Sequence, residues 1–569
     1  MVQVVLTGVS VAYKIGFTHD PLERVQGYLQ DGYSRMHLIS VSVSSLLAKF
    51  KEFGFALDIP ISKIDVGYPK GLMPMIRPTD FYAHLAGLDK ISLLYAEQDT
   101  QVLSKFWARF AVLEPWNTIN DSFEAGTMVP ERTIPLLLHG DEARSRKHLP
   151  MMVVNTHPII GYGCKAYENW FSDAPLMKNQ AGGVSLKGSV LATRFLHFVM
   201  PKKCYGPDSV FLDRMFDELA KDLARLQTEG IQVNGERWHL PIIAATGDWQ
   251  FFAKLGRLTR CYTHVSKRSG QKTLNGICHL CCAGQANYPW EDFVDAPLWM
   301  PSVGTEEPWE QTPSLIRRLH CDSSNRATFF RPDFWHCLHL GAGKAFIASA
   351  VVEWLRVVPG CSDLQSPHYT WLTNRNEKLY CRCISETTMG FDSLQKLPSG
   401  GWQKASDTTL LMEFLEHFCE CHSEVARGDA ILHWVWVAAT NINLSIRTLY
   451  QGGLWLDQHH GRTAAVCGLN FLKAYGHLVS LCLRADRDRF PVTPKFHMLH
   501  HLFLELKINS GKHSWALNML GTSVQQDETF VGILGRHSRR VGPVHTALRS
   551  LQRYLAHAAE HLTPEFRQV

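Results

Sequence analysis

Residues 238–248 form a short apolar run from Trp238 to Thr246 that closes with Gly247-Asp248. Its small and β-branched residues predict a buried strand. A carboxylate at the mouth of such a strand is costly to desolvate without a partner, and a bound metal ion is one common partner. The competing reading is a turn that ends a strand, where Gly and Asp are both favoured. A second run of the same kind, residues 133–141, closes with Gly140-Asp141. Two matching strand ends constrain the fold strongly if the chain between them can bring the strands side by side.

The intervening sequence supplies such a path. A short basic connection, 144–148, leads to a second strand at 149–154, and a third strand is predicted over 190–200. Pro207-Asp208-Ser209 then opens a helix, with Asp208 or Ser209 as N-cap. Phe211, Leu212, Met215, Phe216, Leu219, Leu223 and Leu226 fall on one side of that helix, and Gly230 is its stop signal. The order is β, β, β, α, β, with an acidic residue closing the first and fourth strands.

A chain of 569 residues with 45% hydrophobic and 20% charged residues has the composition of a soluble globular protein of several domains. The net charge of +5 permits nucleic-acid binding without demanding it. Fifteen Cys without an opening signal segment read as reduced thiols, so a nuclear or cytoplasmic protein is expected rather than a secreted one. No uninterrupted apolar run reaches the roughly 18 residues of a membrane span; residues 345–358 are interrupted by Glu353 and Arg356. Residues 61–130 read as a helical lead-in, in which Phe106, Trp107 and Phe110 are core.

Beyond Asp248, Cys261-x₂-His264 is followed by Cys278-x₂-Cys281. Thiolate and imidazole at such spacings suit a tetrahedral structural zinc site. His279 and Cys282 are possible substitutes, and buried free thiols are the alternative. Residues 328–343 read as a strand and a polar turn leading into an apolar helix at 344–358; Asp333 and His336 sit in the turn, Asp333 alternatively as a helix cap. Residues 360–405 read as irregular and 407–485 as mostly helical, with helices at 408–426, 430–450 and 463–483. Trp434 and Trp436 there read as core rather than as base-stacking residues. His497 and His501 lie i, i+4 on the helix that starts at Pro494; the spacing can bind a metal, but no HExxH glutamate lies between them. Ser523 to Gln526 looks like a capping box opening a late helix that carries Asp527-Glu528 and then Arg536, Arg539 and Arg540. An acidic first turn is also ordinary complementation of the helix dipole.

Two resemblances follow. Tyr13-Lys-Ile-Gly16-Phe-Thr18, followed by Arg24, resembles the second half of a GIY-YIG nuclease core. By that resemblance Arg24 would support a phosphate and Glu52 would hold a metal. Gly8-Val9-Ser10 lies too close and lacks the Tyr of the first half, which implies a truncated and inactive copy in residues 1–60, or an ordinary β-turn-helix. A separate nuclease in this segment is a further reading.

The run from about 130 to 545 resembles DDE transposases of the CACTA and hAT-like type. It does so through Leu138-His-Gly-Asp141, Ala245-Thr-Gly-Asp248, Cys278-x₂-Cys281, Asp333-x₂-His336 and Gln526-Asp-Glu528. The resemblance implies a fold class of α/β plus α: an RNase H-like mixed sheet interrupted by a large all-helical insertion, with a small N-terminal α/β unit. Its implied segments are the core at 131–260, a Cys/His segment with a return strand at 261–345, the insertion at 346–510, the late helix at 511–545 and a helical tail at 546–569. It implies two-metal phosphoryl transfer on DNA, with Asp141, Asp248 and Glu528 holding Mg²⁺ or Mn²⁺ and Zn²⁺ at the Cys/His site. Asp333, His336 and Asp527 would lie around the carboxylates, with Asp527 the rival of Glu528. Lys147, Arg536, Arg539 and Arg540 would face DNA phosphates. The expected partners are DNA and further copies of the chain, with no membrane. The alternative is a catalytically inactive DNA- or protein-binding descendant of such an enzyme.

Overall fold

A computed structural model describes residues 51, 55–67, 71–164, 182–206, 210–264, 275–358, 361–381, 383–391, 393–394 and 396–563. Tyr13, Gly16, Arg24 and Glu52, the residues of the GIY-YIG-like segment, lie outside them, as do the proposed helix caps Asp208 and Ser209.

The fold is mixed α/β with a four-stranded sheet and a large helical region. Strands β1 (Leu136–Arg144), β2 (Pro150–Pro158) and β3 (Phe195–Pro201) pair antiparallel in turn. Strand β4 (Ile242–Gly247) pairs in parallel with the free edge of β1, giving the order β4-β1-β2-β3. Leu136, Leu137, Leu138 and the Met151–Val154 stretch of β2 are almost fully buried, as expected for a sheet covered on both faces. Helix α1 (Val210–Thr228) carries the chain from β3 to β4. Its predicted apolar face is buried, and Phe216 meets Phe198 of β3 and Phe251 just beyond β4.

Several boundaries differ from those expected. Strand β1 runs through Asp141 to Arg144 instead of ending at the carboxylate, because β2 offers partners along the whole length. The predicted strand at 190–200 opens as a helical turn, Val190–Thr193, capped by the Ser189 side chain. Trp238 belongs to a separate hairpin with Ile231–Val233, and β4 starts only after Pro241. The lead-in contains a hairpin, Ser62–Asp65 with Leu72–Met75, before its helices Pro78–Gly87 and Gln101–Leu113. The return strand near 328 shrinks to a 3₁₀ turn, Arg326–Phe329, and one parallel bridge between Phe330 and Ala245.

Helix α2 (Trp249–Leu255) follows β4. The helical region begins with a π-helical segment, Trp335–Ala342, that runs into α3 (Gly343–Leu355). It continues with Cys361–Asn374, α4 (Ala405–Cys421), α5 (Ala430–Gln451), α6 (Gln458–Arg484) and α7 (Pro494–Lys512). Helix α6 is long and apolar enough to cross a membrane, and it packs between α5 and α7 with half of its apolar window buried. The chain then returns to the sheet: α8 (Gln525–Ser538) lies against β1, and α9 (Thr546–Leu562) against β3.

Candidate active site and metal centre

Both Gly-Asp pairs have the same physical origin. Gly247 pairs with Gly140 across the parallel β4–β1 ladder, so Asp248 and Asp141 leave neighbouring strands at the same level. A Cβ at Gly140 would lie 2.1 Å from the Phe251 ring. Gly247 has φ +147°, and a Cβ there would lie 2.6 Å from the Gly140 carbonyl oxygen. Only glycine at both positions lets α2 fold back over the two strand ends. Asp248 also serves the turn: its Oδ1 accepts a hydrogen bond from the Phe251 N–H at 2.6 Å and caps α2. The bland reading of this residue is therefore true as well, and one of its carboxylate oxygens stays outside the cap.

Glu528 reaches the same place from the first turn of α8. Its Oε1 lies 3.1 Å from His336 Nε2, and His336 Nδ1 lies 2.8 Å from Asp333 Oδ2. Asp333 is buried and does several jobs at once. It accepts the N–H groups of Trp335 and His336, capping the π-helical segment, and its Oδ1 accepts the Val524 N–H at the start of α8 at 3.1 Å. The expected capping box at Ser523 is absent. Val524 holds the N-cap position, and its N–H is taken by Asp333 from across the fold.

Burial, then the charges of Glu528 and Asp248, push the Asp141 carboxyl well above the usual carboxylate range. Burial acts the same way on Glu528 but is outweighed by its contact with the His336 cation and by a hydrogen bond with Asp141, which hold it below its ordinary value. Burial would likewise lower His336, yet Asp333 and Glu528 hold it well above the usual histidine value. The arrangement is a group of mutually repelling carboxylates with one cationic neighbour. The oxygens of Asp141, Asp248 and Glu528 do not all come within 4.8 Å of one another, a spacing that a Cys/His group elsewhere does meet.

Asp527 does not belong to this group. Successive helical residues point about 100° apart, and Asp527 turns into the core as Glu528 turns to the site. It is fully buried, 3.0 Å from Asn155 Nδ2, 3.4 Å from Arg194, 3.7 Å from His157 and 3.8 Å from His139. The assignment of Asp527 beside the metal-facing carboxylates is thus corrected: it anchors α8 to the sheet from behind.

The metal-ligand group also differs from the expected one. Cys278 and Cys281 come together with His497 and His501, their donor atoms all within 4.8 Å of one another. Cys281 Sγ lies 3.3 Å from His497 Nε2 and 3.4 Å from His501 Nε2; Cys278 Sγ lies 3.6 Å from His501 Nε2; and the two histidine nitrogens are 3.1 Å apart. Tetrahedral zinc with bonds of about 2.3 Å to sulfur and about 2.05 Å to nitrogen requires edges of roughly 3.6 Å for S···N and roughly 3.4 Å for N···N. The distances match within a few tenths of an ångström, and this buried Cys₂His₂ group can bind a metal such as zinc. The backbone N–H groups of Leu280 and Ala283 donate to the two sulfurs. Cys261 and His264 are not part of the group. Cys261 Sγ instead contacts Thr263 Oγ1 at 3.0 Å, and the histidines come from α7, where i, i+4 spacing puts both on one face. His279 and Cys282 also point elsewhere, His279 donating to the Phe330 carbonyl and Cys282 lying near Thr305. The His497/His501 spacing was the available signal, but nothing local pairs it with Cys278 and Cys281.

Of the basic residues, Lys147 is exposed in the β1–β2 turn, and Arg536, Arg539 and Arg540 are exposed at the end of α8. A Cβ at Gly535 would lie 3.2 Å from the Arg144 carbonyl oxygen, so the end of α8 and the basic turn form one edge. Lys202 and Lys254 instead pair with Glu142, the neighbour of Asp141, at 3.2 and 2.5 Å. Trp434 stacks on His477 between helices. No protein-family model matches the chain, and no curated protein matches it.

Proposed function

We propose that the chain has an RNase H-like core of the DDE transposase type and that Asp141, Asp248 and Glu528 form a site for phosphoryl transfer on DNA. The observation that supports this reading is that carboxylates from β1, the end of β4 and α8 approach closely enough for Glu528 and Asp248 to raise Asp141, together with the β4-β1-β2-β3 order that such a core has. The donor set suits Mg²⁺ or Mn²⁺, which take carboxylate oxygens. Burial and the charges of Glu528 and Asp248 raise the proton affinity of Asp141, and a bound cation would offset that repulsion. When bound, a pair of such ions would activate the attacking oxygen and stabilise the leaving one. The chain's own residues hold the carboxylates in place: Phe251 and the Gly-Asp backbone fix Asp248, and the His336–Asp333 pair fixes Glu528. The basic edge at Lys147, Arg536, Arg539 and Arg540 would take the DNA backbone. The Cys₂His₂ group would be structural.

The second reading is an inactive DNA- or protein-binding descendant, and the wider spacing of the three carboxylates favours it. Supercoiled plasmid incubated with Mg²⁺ separates the two. Nicking by the full chain that is lost in Asp248→Asn supports phosphoryl transfer. Binding of the plasmid with no nicking by the unaltered chain supports the descendant.

A further inference from the structure

A cavity of about 520 Å³ opens beside the carboxylates, in the size range of small-molecule sites (about 300–1,000 Å³). Asp248 and His336 line it, so it shares a wall with the candidate active site. Trp249 and Tyr262, both in its lining, stack with centroids 5.2 Å apart and planes within 12°. Lys344 and Lys495 also line it. Lys495 Nζ donates to the Leu340 carbonyl at 2.8 Å, which leaves it two further N–H groups. The lining also includes part of the π-helical segment, a rare element frequent at functional sites. It carries Gly341, where a Cβ would meet the Lys495 side chain at 2.6 Å. The absence of a side chain at Gly341 is what lets Lys495 lie along the cavity.

The Asp248 carboxylate, a stacked aromatic pair and two lysine ammonium groups in one lining match the parts of one nucleotide: a reacting phosphate, a base and the next phosphate. A paired and stacked duplex cannot insert a base here. We propose that the cavity receives one unpaired nucleotide beside the phosphate held at the carboxylates, with its base against Trp249 and Tyr262 and its flanking phosphate on Lys495 and Lys344. The inference rests on the phosphoryl-transfer reading. It adds that the substrate is DNA unpaired next to the reacting bond.

The test uses the full chain with Ca²⁺ in place of Mg²⁺ and two fluorescein-labelled DNAs of one sequence, a continuous duplex and the same duplex with a central unpaired bubble. Stacking on aromatic side chains gives the bubble an expected advantage of about tenfold in Kd. That advantage should vanish when the unpaired nucleotides are made abasic, a change in the DNA that leaves the protein intact. It should also vanish in Trp249→Ala with Tyr262→Ala and persist in Trp249→Phe. Equal binding of duplex and bubble, or an advantage that survives the abasic change, overturns the cavity assignment while leaving the DNA-binding reading in place. Binding to neither DNA overturns the DNA reading and this inference with it.

Discussion

The sharpest consequence concerns the metal centre, because sequence spacing and folded geometry name different ligands. His501→Ala removes one of four donors, and the capacity to bind zinc is expected to be lost. The centre closes a loop: Cys281 and His497 are 216 residues apart in the chain. Treating a metal clip like any other cross-link, the chain-entropy relation gives about 5 kcal/mol for a loop of that length. At an unfolding entropy of about 2.1 cal/mol/K per residue, a chain of 569 residues shifts by about 0.8 °C per kcal/mol, so the thermal midpoint should fall by about 4 °C. Mass-spectrometric metal content measures occupancy, and differential scanning calorimetry with and without a chelator measures the midpoint. The unaltered chain should lose the same roughly 4 °C on chelation, and His501→Ala should no longer respond to the chelator. Cys261→Ser and His264→Ala are the controls, and both should keep one zinc per chain. If these two lose the metal while His497→Ala and His501→Ala keep it, the geometric assignment is wrong.

Other consequences divide the late helix by face. Asp527→Asn leaves Arg194 buried without its carboxylate and should cost about 3–5 kcal/mol in urea unfolding, whereas Glu528→Gln should change stability little and reduce Mg²⁺-dependent nicking at least about 100-fold. The same network should make the fold acid-labile. Burial above all holds His157 down at about 3, so its contribution is present above the free histidine value of about 6.5 and is lost as pH falls from there toward 3. Burial alone would raise Asp527, but His157, Arg194 and His139 outweigh it and hold the carboxyl low, so its contribution fails only below about 3.9. Equilibrium unfolding that is flat between pH 7 and 4 would refute the His157 part. Replacing Arg536, Arg539 and Arg540 together by Ala should weaken binding to all DNA sequences alike and flatten the salt dependence by about 2.7 in log–log slope; an unchanged slope would remove these residues from the interface.

What was legible in the sequence depended on how local the cause was. The Gly247-Asp248 end could be read because Gly247 is required by its own strand end and by Phe251 four residues away; Gly140 yields to the same ring from 111 residues off, and only its matching Gly-Asp pattern was local. The helices α5 and α6 could be read from their periodicity to within a few residues. The metal centre could be read only in halves. Cys278-x₂-Cys281 and His497-x₃-His501 each show a ligand spacing, and joining them takes the packing of α7 against the segment after β4. Local reasoning filled the gap with the nearest Cys and His. The capping box failed for a related reason: Val524 takes the N-cap position in place of Ser523, and its N–H is held by a carboxylate 191 residues away.

Asp333 shows why the far glutamate can return with precision. The helical region between β4 and α8 is long, and a helix end positioned only by its own chain ends would be free to move. Asp333 takes the first N–H of α8, holds the histidine that touches Glu528, and caps the segment that begins the helical region. Asp527 fastens the same turn of α8 to Asn155 and Arg194 on the far side. The Cys₂His₂ group ties α7, the last helix before the return, to the loop that follows β4. Three separate attachments, each formed by side chains remote in sequence, therefore fix the direction of one carboxylate. On the proposed phosphoryl-transfer reading, such a site would tolerate little error in the position of its charges, and the helical region can be large because its length does not set where Glu528 lies.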